Sequence, residues 1–167
     1  SADEMRQALA AGIRCFNVES ASELARLERI AEREGKPAPV ALRVNPDVDP
    51  KTHPYISTGL RTNKFGVPFD EALALYRQAA ASRNLRIVGI GCHIGSQLLD
   101  PAPVAEAANK LLRFIERLDD EAIVLEHVDL GGGFGIRYRD ETPPGIAAFL
   151  EPLIALFARR SEVRAAF

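Results

Sequence analysis

Leu85-Arg86-Ile87-Val88-Gly89-Ile90-Gly91-Cys92-His93-Ile94 is a near-continuous apolar run rich in β-branched residues, and Gly95-Ser96-Gln97 closes it. A strand covered on both faces reads this way, whereas a strand with one wet face alternates. Directly downstream the period changes to 3.6: Val104, Ala107, Ala108, Leu111, Leu112, Ile115 and Leu118 share one helical face. A buried strand followed by an amphipathic helix is the βα unit of a parallel sheet.

The same unit recurs on either side. Further strand-like runs occupy 14–19, 39–45 and 123–130. Helical stripes follow at Leu24, Leu27, Ile30, Ala31; at Phe69, Ala72, Leu73, Tyr76, Ala80; and at Ile146, Phe149, Leu150, Leu153, Phe157. Ser20-x-x-Glu23 reads as a capping box, and Asp100-Pro101 and Thr142-Pro143 as helix starts. Ser1-x-x-Glu4 opens a further helix over about 2–11. About four βα units with parallel strands are therefore expected, in one α/β domain. The final stretch, 159–167, does not read like the approach to another strand.

Connections from helix to strand are short, at 34–38, 82–84 and 119–122, whereas those from strand to helix are long, at 45–67, 95–100 and 131–142. Long loops in a compact domain are usually functional. All of them fall at the carboxyl ends of parallel strands, where barrels and open α/β sheets bind their ligands.

The 167 residues are 47% hydrophobic and 26% charged, with 21 Lys+Arg against 23 Asp+Glu. That suffices for one domain and not for two. A formal charge of −2 argues against a nucleic-acid or membrane-surface protein. No apolar run approaches the ~20 residues of a membrane helix, and no secretion signal opens the chain. Two cysteines, Cys15 and Cys92, lie within strand-like runs, as buried thiols do, which favours a reducing, cytoplasmic setting.

The strongest local signal is Val128-Asp129-Leu130-Gly131-Gly132-Gly133-Phe134-Gly135. Three glycines after a strand let the backbone approach a ligand and turn successive N–H groups toward it, which is how a phosphate is held without a basic residue. Ile136 stands where a dinucleotide fingerprint needs glycine. A tight strand-to-loop turn is the competing reading, though one or two glycines would suffice for it. His93 falls on the strand face opposite Cys92 and Ile94. With Ser96 and Gln97 it is placed to stack on and hydrogen-bond a planar phosphorylated ligand; alone, it reads as a core histidine bonded to a carbonyl. His93, His127 and Asp129 could meet from adjacent strands, but no metal-ligand spacing supports a metal site. Lys64 raises the question of a covalent lysine, against an ion pair that fixes its loop or an interface.

Six motifs occur in order: Phe16-Asn17-Val18-Glu19-Ser20, Arg43-Val44-Asn45-Pro46, His53-Pro54-Tyr55-Ile56-Ser57-Thr58-Gly59, Lys64-Phe65-Gly66, His93-Ile94-Gly95-Ser96-Gln97 and Asp129-Leu130-Gly131-Gly132-Gly133-Phe134-Gly135. From about Met5 to Leu156 the chain resembles the diaminopimelate decarboxylases, pyridoxal-phosphate enzymes of the alanine-racemase-like barrel class. The resemblance implies a partial TIM (β/α)8 barrel spanning 1–167 as a single domain, with pyridoxal 5′-phosphate as cofactor. It implies that His93 stacks on the pyridine ring, that Ser96, Gly131, Gly132 and Gly133 hold the phosphate, and that Arg43 lies near the cofactor. It also implies an interface ion pair for Lys64, an amino-acid substrate and a homodimer for the full-length family.

The family's Schiff-base lysine stands in a Lys-Ala-Asn context, and its pyridine-nitrogen glutamate and a carboxylate-binding arginine in a Glu-Pro-Gly-Arg stretch; neither string occurs here. A C-terminal β-domain completes the family's site. The expectation is a central fragment of a decarboxylase that converts meso-2,6-diaminopimelate to L-lysine and CO2, inactive by itself and without catalytic residues of its own. The alternatives are a decarboxylase of ornithine, arginine or carboxynorspermidine, or a non-catalytic pyridoxal-phosphate- or phosphate-binding barrel.

Overall fold

The computed structural model describes residues 1–49, 65–158 and 164–166. In chain order these form α1 (Ala2–Ala11), β1 (Phe16–Val18), α2 (Ala21–Glu34), β2 (Ala38–Asn45), β3 (Val67–Pro68), α3 (Phe69–Ala81), β4 (Leu85–Gly91), α4 (Ala102–Asp119), β5 (His127–Asp129), α5 (Ile146–Phe157) and β6 (Arg164–Ala166). The sheet runs β1-β2-β4-β5-β6 with every pair parallel, and β3 is a short addition beside β2. Four βα units on a parallel sheet are the architecture expected of part of a (β/α)8 barrel.

Strand register explains where the core lies. Val18, Leu42, Ile90 and Val128 occupy one level across four strands and are all almost fully buried. They belong to one cluster with Leu24 and Leu27 of α2, Tyr76 of α3, Leu111 and Ile115 of α4, and Phe149 of α5. The Tyr76 hydroxyl donates to the Gly89 carbonyl at 2.8 Å, and its ring meets Phe114, which tilts against Phe69 at 5.1 Å. By strand alternation, the levels just before and after this one face the other side of the sheet.

Most helix signals hold. Ser1 and Glu4 form a complete capping box. The Ser20 side chain accepts from the Glu23 N–H, but the Glu23 carboxylate accepts from Glu19 N–H, one residue before the cap, so that box is shifted. At α4 the N-cap is Pro101 itself, one residue later than expected, and Asp100 just before it accepts from the Ala102 N–H at 2.9 Å.

Five expectations need correction. The Thr142-Pro143 helix start is wrong: α5 begins at Ile146 with Gly145 as N-cap, because Thr142 before a proline is driven to extended backbone and Pro143-Pro144 prolongs it. Ile146 is consequently 65% exposed rather than on the buried face. On α3, Ala79 is buried and Ala80 exposed. Cys15 precedes β1 and is only half-buried, while Cys92, just past β4, is buried. Within 159–167, residues Arg164–Ala166 do form a strand, paired in parallel with β5 from His127↔Arg164 to Asp129↔Ala166.

Candidate functional site

The carboxyl edge of the sheet is assembled by register. Arg43 pairs with Gly91 and Gly91 with Asp129, while Glu19 follows β1 one step beyond the Val18↔Leu42 pair. Glu19, Arg43, Gly91 and Asp129 therefore form one level across four strands, on the face opposite the core. Two residues earlier, Asn17, Ala41, Gly89 and His127 form another. Glycine at position 89 is a matter of space, whereas position 91 would meet only ordinary contact. A Cβ on Gly89 would come within 2.5 Å of the His127 imidazole, and one on Gly91 within 3.4 Å of the Asp129 Cβ.

Asn17, Glu19, Arg43, Gly91, Cys92, His93, Asp129 and Gly131 line a cavity of about 230 Å³ over these levels. The Arg43 guanidinium is held on two sides: Nη1 meets Glu19 Oε1 at 2.7 Å, and the group lies over the Phe65 ring, 5.4 Å from its centroid. Burial, followed by the positive charge of Arg43, pulls the His93 pKa below its ordinary value, with Asp129 opposing. Burial pushes the Cys92 thiol up to about 12, Asp129 adding to the effect, so this thiol does not supply a nucleophile. Cys15 also shifts upward, chiefly by burial. Among the described residues, no group of three or more His, Cys, Asp or Glu side chains is arranged to hold a metal ion.

Gly131 lines this cavity, and the rest of the glycine run leads on from it. The Gly131 N–H donates to Asp129 Oδ1 at 2.7 Å, turning the chain sharply out of β5. Gly131 has φ 76°, and a Cβ there would sit 2.7 Å from both the Cys92 carbonyl oxygen and His93 Nδ1. Gly133, at φ 99°, packs so closely on Gly95 that a Cβ would overlap its carbonyl oxygen, and Ser96 Cα lies 3.2 Å from the same point. Gly132 differs: nothing lies within 4 Å of its Cβ position. Neither Gly132 nor Gly133 donates its N–H to any described residue. Two backbone donors at an open, side-chain-free surface are suited to an anion. On the far side, Gly131 and Gly132 border an apolar cavity of about 360 Å³ lined by Val104, Phe134, Phe149 and Leu153 among others.

Arg43, His93 and Gly131 thus share one cavity, Gly132 follows Gly131 in the chain and borders the apolar cavity, and Gly133 packs on Gly95 and Ser96. Ser96 stands exposed at the rim beside Gly133. Residues 53–59 and Lys64 lie outside the described residues.

The pyridoxal-binding domain of the pyridoxal-dependent decarboxylases matches residues 1–162. The chain belongs to this decarboxylase family. It is 53% identical over 157 residues to the diaminopimelate decarboxylase of Neisseria meningitidis and 56% identical over 142 residues to that of Pseudomonas aeruginosa. These matches cover 94% and 85% of this chain but 38% and 34% of the relatives, so the chain spans little more than a third of their length. The crystal structure of the Helicobacter pylori diaminopimelate decarboxylase complexed with L-lysine superposes with a TM-score of 0.94 at 40% identity, over 99% of this chain and 42% of that one.

Glu19 and Asp129, the acidic ends of this decarboxylase chain's charged level, were not singled out as cofactor-site residues by sequence, since a charge on a strand acquires a partner only through register. The Gly89-Ile90-Gly91 alternation was the available signal: glycine at successive positions of one strand face marks a close approach.

Proposed function

We propose that this chain is the cofactor-holding part of a decarboxylase that removes one carboxyl group of meso-2,6-diaminopimelate as CO2 and leaves L-lysine. The carrying observation is the glycine wall: Gly131 shares a cavity with Arg43 and His93, and the Gly132 and Gly133 donors follow directly, with open space at the Gly132 Cβ position. These residues fit pyridoxal 5′-phosphate. Gly132, Gly133 and the rim hydroxyl of Ser96 take the phosphate, Gly131 shapes the turn with its N–H committed to Asp129 Oδ1, and His93 stacks on the ring. Arg43, fixed by Glu19 and Phe65, faces the anionic side of the ligand. The lowered pKa of His93 keeps its imidazole neutral near pH 7, so the stacked ring adds no charge beside Arg43.

When bound, the cofactor supplies an electron-withdrawing ring that accepts the electron pair left as the carbon–carbon bond to CO2 breaks, before a proton takes the carboxylate's place. The chain's own part is binding and orientation. The 167 residues contain neither Lys-Ala-Asn nor Glu-Pro-Gly-Arg, so this polypeptide holds the cofactor without turnover. The choice of diaminopimelate over ornithine or arginine rests on the names of relatives at 53% and 56% identity. We place the whole enzyme in the cytoplasm as a homodimer; the unpaired thiols of Cys15 and Cys92 suit a reducing compartment.

Gly132→Val tests the site. Its Cβ meets open space, so the fold survives, while a branched side chain covers the two donors. Titration with pyridoxal 5′-phosphate, followed by absorbance and by competition with inorganic phosphate, is expected to show wild-type binding and loss of at least about tenfold in affinity for Gly132→Val, roughly the 1.4 kcal/mol of one hydrogen bond. Equal affinities remove the glycine wall from the reading. Release of lysine and CO2 from meso-2,6-diaminopimelate by the isolated chain would overturn the claim of no turnover.

A further inference from the structure

The β4–α4 and β5–α5 loops are joined along their length. Leu98 N–H donates to the Gly133 carbonyl at 2.8 Å and Gly135 N–H to the Leu98 carbonyl at 2.9 Å, the two bonds of a short parallel bridge between Leu98 and Phe134. Beyond it the backbones part, and the Gln97 side chain continues the pairing. Its Oε1 accepts from the Ile136 N–H at 3.1 Å, and its Nε2 donates to the Ile136 carbonyl. One primary amide thus meets both backbone groups of a residue 39 positions away, as a neighbouring strand would. Gln97 adopts φ 59°, a left-handed conformation that a side chain seldom takes without compensation. Ser96 is its immediate neighbour, and Gly133 is wedged against Gly95 and Ser96.

We infer that Gln97 is a positioning residue: its amide clasps the two loops so that the Ser96 hydroxyl and the Gly132 and Gly133 N–H groups face one anion in a fixed geometry. The inference rests on the phosphate site proposed above and assigns Gln97 no contact with the ligand. The sequence expectation groups Gln97 with His93 and Ser96 around the ligand; here the amide spends one N–H and one lone pair on Ile136, which gives it a role through the loops. Anion sites built from backbone need such support, because N–H groups on an unsupported loop spend their time in geometries that do not converge.

Gln97→Gly is the informative variant. Glycine accepts the left-handed backbone without strain, so the substitution removes the clasp while easing the conformation, and the melting temperature should not fall appreciably. Two readouts follow. Amide hydrogen exchange at Leu98, Gly135 and Ile136 is expected to quicken, with β4 and β5 unchanged, and affinity for inorganic phosphate is expected to weaken by about 10- to 100-fold. Unchanged exchange in Gln97→Gly overturns the clasp. Faster exchange with undiminished phosphate affinity overturns its positioning role. A wild-type chain that binds no phosphate refutes the glycine wall itself, a result distinct from the other two, and leaves Gln97 with nothing to position.

Discussion

His93 is partly buried and feels charges of opposite sign, and together these set its protonation. Burial is the largest influence and lowers its pKa; Arg43 lowers it further and Asp129 raises it. Arg43→Met should therefore move the His93 titration upward and Asp129→Asn downward, as followed by NMR of the imidazole Hε1. Movement in the reverse sense would contradict the charged level. The same shift governs stability. Above the ordinary value of 6.5 both folded and unfolded forms are neutral and this group contributes no pH dependence. As pH falls through 6.5 the unfolded chain takes up the proton more readily, so stability declines until the lower folded pKa is passed. His127 is shifted in the same direction, first by burial and then by Arg14. Urea midpoints should fall between about pH 7 and pH 5; a flat profile would refute both assignments. Among the glycines, Gly89→Ala drives a Cβ to 2.5 Å from the His127 ring and should cost about 1–3 kcal/mol by overpacking. Gly132→Ala, with open space around it, should leave the denaturation midpoint in place.

Among the elements, α4 was the most legible in the sequence. Six of its seven stripe residues, Leu111 and Ile115 among them, are buried as the period required, and Leu112 is partly so. Leu111→Ala should destabilise the chain by about 2–5 kcal/mol in chemical denaturation, since it empties a fully buried site. Periodicity reports burial, and α4 is decided by burial. β6 is decided otherwise: Arg164-Ala165-Ala166 carries no apolar run and is a strand because β5 offers it a pairing edge. The α5 boundary was misplaced because two helix-start rules competed at Thr142-Pro143, and the extended preference before a second proline prevailed. The site divides in the same way. The glycine run was legible because Gly131 and Gly133 occupy backbone conformations and gaps that exclude other residues. The Glu19–Arg43 pair and the Gln97–Ile136 clasp were not, because they join residues 24 and 39 positions apart through register and loop packing that no local pattern encodes.

Over the whole molecule the sheet has one face against helices and another bearing the polar levels, and its two outer strands each have a single neighbour among the described residues, β2 for β1 and β5 for β6. In the relatives, which are more than twice as long, additional chain is available to cover these surfaces. In an isolated 167-residue chain these edges, uncovered among the described residues, are a template for pairing with another molecule. Only a small net charge of −2 opposes such contacts. The isolated chain should therefore associate as its concentration rises. Sedimentation velocity is expected to show species heavier than 18.2 kDa, and a single compact 18.2 kDa species at the highest concentration would refute this. Saturating pyridoxal 5′-phosphate should not reverse the association, because the glycine wall and Ser96 belong to the loops after β4 and β5 and leave both strand edges as they were. Dissociation to monomer on adding the cofactor would instead mean that the polar face mediates the contact.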